Sequence, residues 1–130
     1  MITLLGTSIT DKIYNTAIAR SYTPEAAAAI SATVFVESIG KTLITYRGDR
    51  YNKFAAYAEK MRSDPFSIDT QIAFIFDCMK DYNVSKIKYA KTVDDGVRSF
   101  NEDYLKKTLN KDEFLKLIII ANDINRVFVG

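Results

Sequence analysis

Thr23-Pro-Glu-Ala-Ala-Ala-Ala-Ile-Ser-Ala-Thr-Val-Phe-Val-Glu37 is the stretch whose reading decides the fold. Thr23 offers a capping hydroxyl, and Pro24 suits a first helical position where no backbone N–H is needed. Glu25 puts negative charge at the positive end of the helix dipole. From Ala26 to Val36 small and apolar side chains occupy nearly every side of the cylinder. A helix without a polar face has nowhere to sit but the centre of its domain. Glu37 follows at or near the last turn, then Ser38, then Gly40 as a helix stop.

Working outward, helical periodicity recurs on both sides. Ile9–Arg20 reads as a first helix capped by Thr7 or Ser8, with Ile13, Ala17 and Ile18 on one face. Lys41–Gly48 reads as a short extended segment or a tight loop. Asp49 then caps a third helix carrying Tyr51, Phe54, Ala55, Ala58 and Met61, and Ser63-Asp64-Pro65 ends it. A fourth begins near Ser67 and includes Ile72, Ile75, Phe76 and Met79. Asn83–Lys91 reads as a loop with a short helical turn.

Thr92 opens a fifth helix, with Val93, Val97, Phe100 and Tyr104 at helical spacing. The last starts at Asn110, where Glu113 supplies the return half of a capping box. Its expected buried face is Leu117, Ile120, Ala121, Ile124 and Phe128. The expectation is therefore a mainly α, single domain over residues 1–130, with five to six helices and little or no sheet.

Composition narrows the chemistry. The chain has 130 residues, enough for one sizeable core, and 48 % are hydrophobic. A net charge of +2, with Asp94, Asp95, Glu102 and Asp103 interrupting the lysines between Lys80 and Lys116, does not build a phosphate-tracking surface. Nucleic acid is thus not an expected partner. With no histidine, His-activated nucleophiles and His-ligated metals are excluded. The single cysteine, Cys78, lies in an apolar run and reads as a buried, inert thiol. No apolar run approaches the roughly 20 residues a membrane helix needs, and Met1–Gly6 does not read as a signal peptide.

Acids remain as candidates. A carboxyl group among Val34, Phe35 and Val36 would resist ionisation, and a carboxylic acid protonated near neutral pH can protonate a leaving-group oxygen. Glycosidic bond cleavage requires such an acid, with a second carboxylate about 5–9.5 Å away. Asp49 and Asp69 are candidates for the second, although each also reads as a helix-start residue. A helix-end Glu37 pointing to water is the competing reading. Tyr46 beside Arg47 would suit a sugar ring. Core packing is the expectation for Tyr14, Phe54, Phe74 and Phe100.

Taken in order, these segments resemble the phage tail lysozyme family, whose domains share the goose-lysozyme and lytic-transglycosylase type of fold. Tyr22–Ile30 followed by Val36-Glu37-Ser38 is similar to the family helix that ends in Glu-Ser. Leu43-Ile-Thr-Tyr-Arg-Gly-Asp-Arg-Tyr51 is similar to its Gly-Leu-x-Gln-Trp-x-Gly-x-Arg segment. Ile68-Asp-Thr-Gln-Ile72 resembles its Leu-Asp-x-Gln-Leu helix start. Lys91–Asp95 with Val97 and Phe100 resembles the later Thr-Val-x-x-Ala-x-x-Phe helix, and Ala121–Phe128 the closing one.

The resemblance implies a lysozyme-like domain acting on the glycan strand of peptidoglycan, with Glu37 as general acid. It implies Ser38, Thr45, Tyr46, Arg47 and Asp49 as substrate-binding residues. No metal, cofactor, nucleic acid or membrane enters that chemistry. The implied location is a virion or phage tail acting on the host cell wall, with other tail or virion proteins as partners.

The chain departs from the pattern after Glu37-Ser38. Only Ile39–Ile44 fills a stretch that is longer in the family, Thr45 stands at the glutamine position and Tyr46 at the tryptophan position. That short stretch holds no acid. A catalytically inactive lysozyme fold serving as a virion structural or partner-binding protein is therefore the alternative, and an unrelated helical interaction module is a third.

Overall fold

The computed structural model describes residues 7–37, 49–62, 67–79 and 84–129. These form seven α-helices: α1 (Thr7–Ala19), α2 (Pro24–Glu37), α3 (Asp49–Lys60), α4 (Ile68–Cys78), α5 (Val84–Lys88), α6 (Val93–Ser99) and α7 (Lys111–Val129). A π-helical turn, Phe100–Tyr104, continues α6. No strand occurs among the described residues. The fold is mainly helical, as expected. The helix count exceeds the expected five to six because the turn foreseen in Asn83–Lys91 closes into the five-residue α5.

α2 is the axis of the domain. Ala26–Ile30, Ala32 and Val34 are fully buried, and α7, α1 and α6 pack around them. Its small side chains let neighbouring backbones come close. Two buried hydroxyls cause no conflict with that burial, because each is satisfied one turn back. Ser31 Oγ donates to Ala27 O at 2.8 Å and Thr33 Oγ1 to Ala29 O at 3.0 Å.

The start of α2 is built as its sequence implies. Thr23 Oγ1 accepts from Ala26 N at 3.1 Å and donates to Ala90 O at 2.6 Å, while Thr23 N donates to Lys88 O at 3.0 Å. One threonine therefore caps α2 and ties it to the end of α5. Just before it, α1 closes in a Schellman arrangement. Ser21 N donates to Ile18 O, Tyr22 N donates to Ala17 O, and Ser21 takes a left-handed φ of 70°.

Other helix starts also follow local chemistry. Thr92 Oγ1 accepts from Asp95 N at 3.0 Å, and Asn110 and Glu113 bond reciprocally at 2.9 and 3.1 Å. Ser67 is the N-cap residue of α4, though its side chain makes no capping bond. α1 begins at Thr7, so Thr7 and Ser8 are helical residues and not its caps. Asp49 likewise opens α3 from inside the helix. α3 stops at Lys60, and Arg62 takes a left-handed φ of 52°.

Aromatic rings join the layers around α2. Tyr14 of α1 stacks on Phe128 of α7 with centroids 4.2 Å apart, and Phe74 of α4 meets Phe54 and Tyr57 of α3 at 5.0 and 5.3 Å. Tyr14, Phe54, Phe74 and Phe100 are all buried, and so is Cys78. On α7, Leu117, Ala121 and Ile124 are buried while Ile120 and Phe128 are half-buried. No described helix is long and apolar enough to cross a membrane.

Candidate functional site

α2 rises out of the core toward its C-terminal end. Thr33 and Val34 are buried, Phe35 and Val36 are half-buried, and Glu37 is the final helical residue. Glu37, singled out by sequence, thus terminates the most buried of the described helices, with its side chain outside the description.

The last turns of α2 are held by the α6 segment, which runs beside it in the same direction. Near its start, Gly96 lies against Glu25, Ala26 and Ala29. Further along, Asn101 Nδ2 donates to Thr33 Oγ1 at 3.1 Å and to Val97 O at 2.9 Å. Asn101 is 1 % exposed, so this carboxamide is a fully desolvated clamp on the turn that precedes Glu37. Its position could have been noticed in sequence: Asn101 falls four residues after Val97, on the face where an apolar residue is expected.

Replacing Asn101 with Leu keeps the branching of the side chain and removes both donated bonds. We expect a loss of about 1–3 kcal/mol in urea unfolding, with an unchanged denaturant slope. An unaltered midpoint would show that the clamp carries no stability.

The other residues assigned by sequence divide into two groups. Ser38, Thr45, Tyr46 and Arg47 lie outside the described residues, as do Gly40 and the segment Lys41–Gly48. Asp49 is placed as the first residue of α3, with its side chain outside the description. Asp69 lies in the first turn of α4, as its helix-start reading implied. Its side chain is 82 % exposed and pairs with Lys12 of α1 at 3.3 Å. It is a solvated link between α1 and α4.

The chain matches no family model, no curated protein sequence and no solved structure. Its own geometry therefore carries the reading of the site. Among the described residues no group of three or more Cys, Asp or Glu is arranged to hold a metal ion.

A second polar network, not apparent in sequence, ties α1, α3 and α4 together. Arg20 Nη1 donates to Asp77 Oδ1 at 2.9 Å, and Tyr57 OH donates to Asp77 Oδ2 at 2.7 Å. Arg20 also lies over the Phe76 ring, 5.5 Å from its centroid. Desolvation, the hydrogen bond to Asp77 and the Asp77 charge push the Tyr57 phenol up to about 12, with Arg20 opposing. The folded phenol holds its proton above the ordinary value of 10, so its contribution is complete below pH 10.

That contribution falls as pH rises from 10 toward 12, where the unfolded chain has lost a proton that the folded chain keeps. Stability measured by denaturant across this window should decline less steeply in Tyr57→Phe than in the wild type. Parallel curves would show that Tyr57 is not linked to folding.

Proposed function

We propose that this protein is a peptidoglycan-directed, lysozyme-like protein of a phage tail or virion, cleaving the glycan strand with Glu37 as general acid. The observation that carries the reading is the position of Glu37 as the last residue of α2, the buried central helix. Glu37 follows Val34, Phe35 and Val36 in the chain, and a carboxyl group desolvated by such apolar neighbours would favour its protonated form. The helix C-terminus adds partial negative charge, which also disfavours ionisation. Both effects suit a proton donor to a glycosidic oxygen.

The described framework supports such a role mechanically. A general acid must be held within about 0.5 Å of its productive position, and the Asn101–Thr33 bond ties the turn before Glu37 to the α6 segment. Ser38, Thr45, Tyr46, Arg47 and Asp49 are assigned to the glycan on sequence resemblance.

The test is digestion of purified peptidoglycan with products identified by mass spectrometry. Reducing-end muropeptides would mean hydrolysis, and anhydro products would mean lytic transglycosylation. Chelators should leave either reaction intact. Absence of products from folded protein would favour the alternative, a lysozyme-fold protein that serves as a structural or partner-binding component. Exposed apolar side chains on α7, Leu115 at 46 % and Ile119 at 62 %, are the observation in favour of that alternative.

A further inference from the structure

Between α5 and the α6–π segment lies a cleft of about 460 Å³. Its walls carry the cations Lys86, Lys91 and Arg98 and the carboxylates Asp95, Glu102 and Asp103, so its lining has no net charge. With no net charge, the lining as a whole does not draw a polyanion or a cation in preference to a neutral ligand by long-range attraction. What it offers is a dense alternation of hydrogen-bond donors and acceptors.

Two of the charge pairs are already arranged. Arg98 meets Glu102 at 3.3 Å, and Lys86 meets Asp103 at 3.5 Å. Arg98 is further held over the Phe114 ring, 4.3 Å from its centroid. These pairs fix the wall without saturating it, since each carboxylate has lone-pair sites to spare. Asp95 and Lys91 are exposed beside them. Tyr89, on the short turn that leaves α5, also lines the cleft; its ring is 58 % exposed, with Lys88 Nζ 5.7 Å from the centroid.

The wall is made by an uncommon backbone. Leu105 N donates to Phe100 O, an i→i−5 bond, and Glu102 and Asp103 of this turn line the cleft together with Arg98 and Ser99. π-Helical turns are rare and concentrate at functional sites. Here the turn is locked from behind by Asn101 on Thr33 and is followed by Lys106 at a φ of 58°.

We propose that this cleft is a saccharide-binding subsite, with Tyr89 as the stacking platform and Asp95 and Glu102 accepting from ring hydroxyls. A neutral polyhydroxyl ligand with an apolar ring face matches a charge-balanced, hydrogen-bonding wall beside an exposed aromatic ring. The inference deepens the peptidoglycan reading, and rests on it only in naming the natural ligand as the glycan strand. It assigns the strand a second contact built from α5 and the π turn.

The test is a titration of ¹⁵N-labelled protein with the trimer of β-1,4-linked N-acetylglucosamine. Saturable shifts are expected at the amides of Tyr89, Lys91, Asp95, Ser99 and Glu102. Tyr89→Ala should weaken binding about tenfold, equivalent to about 1.4 kcal/mol, and Asp95→Asn should also weaken it. Both substitutions are at exposed positions, so the folded spectrum should persist.

No saturable shifts, or equal binding by Tyr89→Ala, would overturn the subsite. Shifts produced by inorganic phosphate or by a dipeptide in place of the trimer would do the same. The two readings separate cleanly. Trimer binding without peptidoglycan cleavage retains the subsite and removes the catalytic assignment, whereas cleavage without trimer binding does the reverse.

Discussion

Glu37→Gln should reduce release of soluble muropeptides from purified peptidoglycan by at least about a hundredfold, with no change in the far-UV circular dichroism. General acid catalysis contributes roughly 10²–10⁴-fold, and an amide cannot supply the proton. Gln keeps the shape and the polar character of the side chain at the end of α2, so the substitution separates proton donation from structure. It also leaves the described supports of that helix untouched: Thr23 at its start, Gly96 along its side and Asn101 near its end. Undiminished release by the variant would sink the assignment of Glu37.

Loss of release in Glu37→Gln, with normal melting, would locate the chemistry at the α2 terminus. Substitutions at Ser38, Thr45, Tyr46, Arg47 and Asp49 then become the natural next series. As glycan contacts, these residues should affect KM more than the chemical step.

The largest stability effect is expected at Gly96. An ideal Cβ there would lie 2.8 Å from Ala29 Cβ and 3.3 Å from Glu25 O, both on α2. Helical glycine ordinarily gives up about 0.5–1 kcal/mol relative to alanine, so exposed glycines of this kind are improved by Gly→Ala. At Gly96 the sign should reverse, because helix α6 would have to move away from α2. Gly96→Val should cost about 3 kcal/mol, the upper range for overpacking a close helix contact. In a domain of this size that lowers the thermal midpoint by roughly 10 °C.

A double variant identifies the cause. Ala29→Gly removes the nearer obstructing carbon, so Gly96→Ala combined with Ala29→Gly should lose less stability than the sum of the two single changes. Strict additivity would mean that the close approach of α6 to α2 is not what disfavours a side chain at position 96. Because Asn101 lies on the same segment, displacement of α6 should also weaken its bond to Thr33. Gly96 variants should therefore lose muropeptide release at temperatures below their own melting.

Much of the helical framework is legible in sequence because its signals are local. Thr23, Thr92 and the Asn110–Glu113 pair each satisfy backbone donors within three residues, and those bonds form as their spacing implies. Where local signals were equivocal, boundaries moved by a residue or two. Thr7 and Ser8 fall inside α1, and the Asn83–Lys91 loop gains a complete short helix. Of the candidate site, Glu37 was legible as the first charge after a long apolar stretch. Its neighbours beyond the helix end fall outside the described residues.

By itself the sequence determined that α2 would be central, since a helix with apolar or small residues on all sides can shed its hydration only by being surrounded. It also determined that no histidine among residues 1–130 can take part in the chemistry. Tertiary structure decided what surrounds α2 and how tightly. The Asn101–Thr33 bond joins residues 68 apart, and the Arg20–Asp77 pair joins residues 57 apart. Neither partner carries a local signal that names the other. The π turn, the absent Cβ of Gly96 and the charge-balanced cleft under Tyr89 likewise depend on packing across elements. Such partners are chosen by three-dimensional proximity, which periodicity along one helix cannot specify.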